Sequence, residues 1–180
     1  DNDVPSVAIM QFKNKGKEED IFYSYGIVAD LISDISSSGH IRVSSKKQVD
    51  DASNLPINEL AQKLFVRYIV TGELWKREDL FQLSIELYDA QEEKVVWFDR
   101  WQEKWENLLE IKGNLSDSLL KALNTERKDE NKLAYTSPEA YEFYLKAKHK
   151  YDRRKNMDDT EISRGLLNKA IDLDNDLIIA

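Results

Sequence analysis

The sequence predicts an α/β fold: a mixed sheet with a three-strand antiparallel meander packed by helices, followed by an α-helical hairpin. Three observations predict it. Between Leu80 and Tyr88, Phe81, Leu83, Ile85 and Leu87 alternate with Gln82, Ser84 and Glu86. That is period two along a whole strand, with one face buried and one wet, as in an antiparallel sheet. Upstream, short apolar runs are interleaved with segments of period three to four. Near Ser137 the character changes, and from there to Ala180 only helical periodicity remains.

In chain order, Ser6–Phe12 is a short apolar strand ended by the polar stretch Lys13–Asp20. Phe22, Tyr25, Val28, Leu31, Ile32 and Ile35 mark an amphipathic helix that runs out in Ser36, Ser37, Ser38 and Gly39. Ile41–Val43 is a brief strand, and Ile57, Leu60, Ala61 and Leu64 give a second, shorter helix. Tyr68–Trp75 and Lys94–Trp101 flank the alternating strand across short polar connectors. Parallel neighbours would need longer crossovers, so these three strands form a meander. Leu108, Ile111, Leu115, Leu119 and Ala122 lie on one stripe of a third helix. The order β-α-β-α-β-β-β-α predicts an α/β sandwich with its helices on one face. Gly72, inside a strand, marks a bulge or a point of close packing.

Residues 1–124 therefore read as the α/β domain, 125–136 as a linker or helix extension, and 137–180 as the helical hairpin. Ser137, Pro138 and Glu139 open its first helix with a hydroxyl cap, a proline at the first position and an acid in the first turn. Tyr141, Tyr144, Leu145 and Tyr151 supply its apolar side, and Ile162, Leu166, Leu167, Ala170, Ile171 and Leu173 that of the second helix. Such a hairpin cannot bury its apolar face alone, so the pattern predicts further chain beyond Ala180.

Composition narrows the function. The 180 residues carry a net charge of −8, and an acidic chain repels phosphate backbones, so nucleic-acid binding is not expected. No cysteine is present, which excludes disulfides, thiolate nucleophiles and cysteine-ligated metals. No apolar run approaches the roughly 18 residues of a membrane span. The six glycines form no phosphate-cradling loop, and no cofactor is expected. His40 and His149 lie far apart without a partner nucleophile, so no catalytic residue is assigned. The acid pairs Glu18–Asp20, Asp50–Asp51, Glu92–Glu93 and Asp158–Asp159 read as solvated loop residues rather than as a metal site.

Two groups are candidates for ligand or partner contact. Trp97, Asp99 and Trp101 share one face of a strand, an aromatic row with an acid between that would stack a sugar or grip a peptide. The simpler alternative is that both tryptophans cap the edge of the core while Trp105 begins the third helix. Lys146, Lys150, Arg153 and Arg154, near the end of a helix, would meet an acidic partner or merely complement the helix dipole.

Two stretches resemble the TolB amino-terminal-like domain of bacterial multidomain proteins. One is Ser6-Val7-Ala8-Ile9-Met10-Gln11-Phe12-Lys13-Asn14, continuing into Phe22-Tyr23-Ser24-Tyr25-Gly26. It is similar to the family's strand ending in Pro-Phe-x-Asn and its aromatic segment with glycine before the helix. The other runs from Leu60 through Val66, Arg67, Tyr68 and Gly72 to Trp97-Phe98-Asp99-Arg100. It resembles the family's helix-to-strand passage and its later tryptophan strand. The likeness covers residues 6 to 124, with Gln11 where the family has proline, Tyr25 where it often has aspartate and Phe65 where it commonly has glycine. Residues 138–180 resemble the start of a tetratricopeptide array, carried by Leu167, Ala170, Ile171, Leu173 and Asp174. The resemblance implies a non-catalytic regulatory, scaffolding and protein-interaction region of a larger bacterial signalling protein of adenylate/guanylate cyclase type. Protein or peptide partners would then bind through the helical repeat. The alternative is a stand-alone envelope protein binding a peptide or glycan. An extracytoplasmic part of a membrane-anchored protein is the favoured location, the cytoplasm the other, and an exposed sheet edge would allow a homodimer.

Overall fold

A computed structural model describes residues 4–125 and 137–175. Apart from Thr125, the stretch read as a linker lies outside the described residues. The elements are β1 (Ser6–Ile9), β2 (Lys13–Asn14), α1 (Ile21–Ser37), β3 (Arg42–Val43), α2 (Lys46–Ala52), α3 (Ile57–Leu64), β4 (Tyr68–Arg77), β5 (Leu80–Asp89), β6 (Lys94–Lys104), α4 (Leu108–Ala122), α5 (Pro138–Asp152) and α6 (Met157–Leu173). The sheet runs β3-β1-β4-β5-β6, with β2 also on β4. β1 is parallel to β3 and β4, whereas β4, β5 and β6 form the antiparallel meander, so the sheet is mixed as expected.

The first strand is interrupted. β1 pairs Ile9 with Val70, but β2 pairs Lys13 with Glu73, so this strand carries one residue more than β4 between the two pairs. Phe12, in the interruption, turns its ring onto Gly72, where a Cβ would come within 2.8 Å of it. Gly72 is thus a close-packing point that lets the Phe12 ring enter the core. Gln11 has both side-chain amide atoms buried without a hydrogen-bond partner.

Helices cover both faces of the sheet, which corrects the expectation of one face. Val7, Ile9, Val70, Leu83, Ile85 and Leu87 share a cluster with α1 and α4. The alternate residues Ala8 and Ile69 join Val49, Ala52, Leu60, Ala61 and Leu64 of α2 and α3 on the other side. The reason is that β1 and the start of β4 are apolar on both faces, as strands with parallel neighbours are. The α2 helix carries little periodic signal, but Ser45 and Gln48 form a capping box that starts it. It also places Asp50 and Asp51 on a helix rather than in a loop, and Asp158 and Asp159 likewise open α6.

The hairpin is not left apart from the α/β domain. Ala140, Tyr141, Tyr144 and Leu145 of α5 belong to the same buried cluster as α1 and α4. Contact is possible because Gly26, in mid-α1, offers no Cβ; one built there would lie 2.3 Å from Leu145 Cδ2. α6 returns along α5, and Ser163 donates a hydrogen bond of 2.8 Å to the Ala147 carbonyl. Its hydroxyl is thereby satisfied inside the hairpin.

α3 ends at Phe65 with φ 53°, in the left-handed region, and this residue is 83% exposed. The Val66 N–H donates to the Ala61 carbonyl at 3.0 Å, closing the helix end in the manner that favours glycine.

Two predictions follow from these sites. Phe65→Gly removes left-handed strain without uncovering any core, and it should raise stability by about 1 kcal/mol, read from the thermal midpoint. Gly26→Ala should lower stability by roughly 1–3 kcal/mol despite alanine's better helix propensity. In a double-mutant cycle with Leu145→Ala the losses should be less than additive, and strict additivity would show that this contact does not set the spacing of α1 and α5.

Candidate functional site

The sheet register decides which side of β6 each candidate occupies. Trp97 pairs with Leu87, Asp99 with Ile85 and Trp101 with Leu83, so all three lie on the face that carries the core. Trp97, Trp101 and Trp105 are partly buried against that core, and the first two rings are 6.4 Å apart. The Asp99 carboxylate accepts the Arg100 N–H at 2.8 Å. Trp105 donates from Nε1 to the Tyr23 hydroxyl at 2.7 Å, and Tyr23 in turn bonds Glu142 of α5. The tryptophans therefore close the core along the sheet edge.

The basic candidates lie elsewhere, on the hairpin, and largely face its own groups. Lys146 donates to Glu142 at 2.6 Å. Lys150 pairs with Asp159 at 2.5 Å, tying α5 to α6. The Arg154 guanidinium lies 3.9 Å from the Tyr151 ring centroid, and that of Arg153 lies 5.7 Å from the Tyr25 ring. Tyr25 also meets the Lys46 ammonium at 4.4 Å and packs edge-on against His149. An aromatic at position 25 thus joins α1, α2 and the hairpin, where an aspartate would place a charge. Burial, then the charge of Arg153, pushes the His149 imidazole below its ordinary range.

Between α1, α4 and α5 lies a buried polar cluster around Asp30. Tyr141 donates to its carboxylate at 2.6 Å, Lys148 at 3.2 Å and Tyr144 at 3.4 Å, with the Lys112 ammonium 3.7 Å away. Burial works against the Lys148 charge, but Asp30 outweighs it and the ammonium titrates above its usual value. Burial and Asp30 together raise the Tyr144 phenol. Every group here answers another, which suits an internal lock rather than a reactive centre. Sequence periodicity missed it because Asp30 falls on the buried side of α1 among apolar residues.

The surface that the sequence did not single out is the outer face of the meander. On this face Ile69 and Tyr88 still pack under α2 and α3. Past them the same face turns polar. Thr71, Glu86 and Phe98 form one cross-strand row, Lys13, Glu73, Ser84 and Arg100 the next, and Trp75, Gln82 and Gln102 a third. A shallow groove of about 430 Å³ lies over the first two rows, lined by Lys13, Glu73, Ser84, Glu86, Phe98 and Arg100 among others. Phe98 is 55% exposed. The signal was present: Phe98 and Arg100 alternate with Trp97, Asp99 and Trp101, so the face opposite the tryptophans is the open one.

At the other end of β5, Arg67 grips the buried Asp89 carboxylate through Nε at 2.9 Å and Nη2 at 2.7 Å. The Gln91 and Glu92 N–H groups bond its second oxygen. Burial alone would raise this carboxyl, but Arg67 and the two N–H groups override it and hold it below the usual carboxylate range.

Neither family models nor curated proteins match the chain. Among solved structures it is similar to TolB from Acinetobacter baumannii, with 23% identity and a TM-score of 0.52 over 67% of this chain and 28% of that one. It also aligns with lipoprotein GNA1162 from Neisseria meningitidis at 12% identity and a TM-score of 0.46, covering 55% of this chain and 79% of that one. For LpoB from E. coli the values are 11% and 0.45, covering 55% and 57%. The TolB likeness is one of fold, and the chain spans little more than a quarter of that protein.

Because folding lowers the Asp89 pKa, its contribution is complete above the unfolded carboxylate value, about 3.9, and is lost as pH falls through the folded value. Asp89→Asn should therefore cost about 1–3 kcal/mol at neutral pH. The gap in thermal midpoint between variant and parent should narrow as pH is lowered toward about 3; a constant gap would contradict the linkage.

Proposed function

We propose that this chain is a non-catalytic binding module of a bacterial envelope protein, with the open outer face of β2, β4, β5 and β6 as its contact surface. The observation that carries this is the change of pattern along a single sheet face, apolar under α2 and α3 and polar with an exposed aromatic beyond them. Phe98, 55% exposed in the polar part of this face, is open to a partner there. The TolB-type motifs and the fold likeness to TolB support an extracytoplasmic setting. Among the described residues no helix is long and apolar enough to cross a membrane. A homodimer would form along β6, the long outer strand, where Val95 and Val96 are exposed.

A second reading keeps the module inside a larger cyclase-type signalling protein, with the hairpin as the first unit of a tetratricopeptide array. The observation in its favour is α6. On either side of the Ser163 and Ala170 line that faces α5, Ile162, Leu167, Ile171 and Leu173 remain exposed. A repeat helix flanked by further helices would use both sides.

The test is photo-crosslinking in cells of the natural protein carrying benzoylphenylalanine at Phe98 or, as a control, at Lys63 on α3. Adducts from 98 and none from 63 are expected, together with activity of a fused alkaline phosphatase, which requires export. Adducts absent at 98, or a fused phosphatase without activity, would overturn the envelope reading.

A further inference from the structure

The open face has a chemistry of its own, and we infer that it binds an oligosaccharide chain bearing carboxylates. This rests on the reading of the same face as the contact surface.

The charged row runs Lys13, Glu73, Ser84, Arg100 across four strands. Its two ends are cationic, and three strand spacings put them about 14 Å apart. Glu73 is engaged by Lys15 at 3.3 Å. The side chains of Lys13, Glu86 and Arg100 make no hydrogen bond or ion pair with the described residues, and all three are exposed. In a chain of net charge −8, two unpaired cations at the ends of one groove stand apart from the general field. A guanidinium offers a flat fork of donors matched to a carboxylate, and an ammonium a point charge.

Between and beside the cations are the groups that hydroxyls need. Glu86 accepts, Gln82 and Gln102 both donate and accept, and the Ser84 and Thr71 hydroxyls do either. Phe98 and Trp75 stand at opposite corners of the three rows. Phe98 is exposed, and an aromatic ring offers a face of negative quadrupole potential suited to the polarised C–H face of a pyranose; the half-buried Trp75 ring has the Arg77 guanidinium 6.0 Å from its centroid. The corners lie about 16 Å apart from strand spacing and rise, the reach of a few linked sugars.

A polypeptide partner fits this face less well. A sheet face exposes no backbone donors or acceptors, so an added strand would have to use the edge at β6. A protein interface would centre on an apolar core with a polar rim. Here the centre is Glu73, Ser84, Gln82 and Glu86, and the aromatics sit at the corners.

The test uses the ¹⁵N-labelled chain titrated with tetragalacturonate as the carboxylated probe and cellotetraose as the neutral one. Expected are amide shifts confined to residues 13, 71–75, 82–86 and 98–102, with tetragalacturonate binding about tenfold more tightly than cellotetraose. Phe98→Ala and Arg100→Ala should each weaken binding by about tenfold, while Lys63→Ala on α3 leaves it unchanged. Both side chains are exposed, so the variants should keep the parental fold, checked by their amide spectra. Equal affinity for the two probes would overturn the role of the carboxylates. No shift with either probe would overturn the glycan assignment. If crosslinks from position 98 then captured a protein, the binding-module reading would stand while this inference fell.

Discussion

The close approach of α1 and α5 is the constraint on which the rest of this structure depends. It is set by the missing side chain at Gly26, into whose space Leu145 fits. With the two helix axes brought together, Asp30 is forced among Tyr141, Tyr144, Lys148 and Lys112. Burying that charge is unfavourable by itself, and its partners offset the cost only in this one arrangement. Another seating of α5 would leave the Asp30 carboxylate without the hydrogen bonds of Tyr141, Tyr144 and Lys148. Tyr23 extends the tie, reaching Glu142 on α5 and Trp105 at the end of β6.

One consequence is that the helical hairpin and the sheet share a single core on the α1 side. α5 faces inward with Tyr141 and Leu145 fully buried, whereas α6 keeps much of its apolar surface outside. The hairpin thus has an anchored helix and a free one, which is how a helical extension can be carried rigidly by an α/β domain. The cations Lys146 and Lys150 are engaged within the hairpin, by Glu142 on α5 itself and by Asp159 on α6.

The second consequence concerns the opposite face. α2 and α3 are short, and they cover only β1, the beginning of β4 and Tyr88 at the end of β5. Among the described residues no helix covers the outer face of β5 and β6, because the meander returns directly and α4 crosses to the α1 side. A sheet with two helical layers at one end and one at the other has an open face by construction. Its residues had to be polar to remain in water, and which polar and aromatic residues they are is where ligand choice can be written.

Much of the fold was legible in the residues themselves. The alternation in β5 gave the meander and its wet side, and the three-to-four spacing gave α1, α3 and α4. Ser137 and Pro138 marked the start of α5. These are local patterns, with a period set by the backbone. α2 was not legible, since its seven residues show only two buried positions and its start is a side-chain cap. Nor was the side on which each helix packs, since a strand apolar on both faces carries no preference. The tryptophan row could be found but not oriented: only the register of β6 against Leu83, Ile85 and Leu87 turns it toward the core and leaves Phe98 and Arg100 outside. The sequence by itself determined the long strands, every helix except α2, and their polarity, because these depend on neighbours a few residues apart. The tertiary structure alone decided the Asp30 cluster, the seating of α5 on Gly26 and the open face, because each joins residues from strands and helices far apart in the chain.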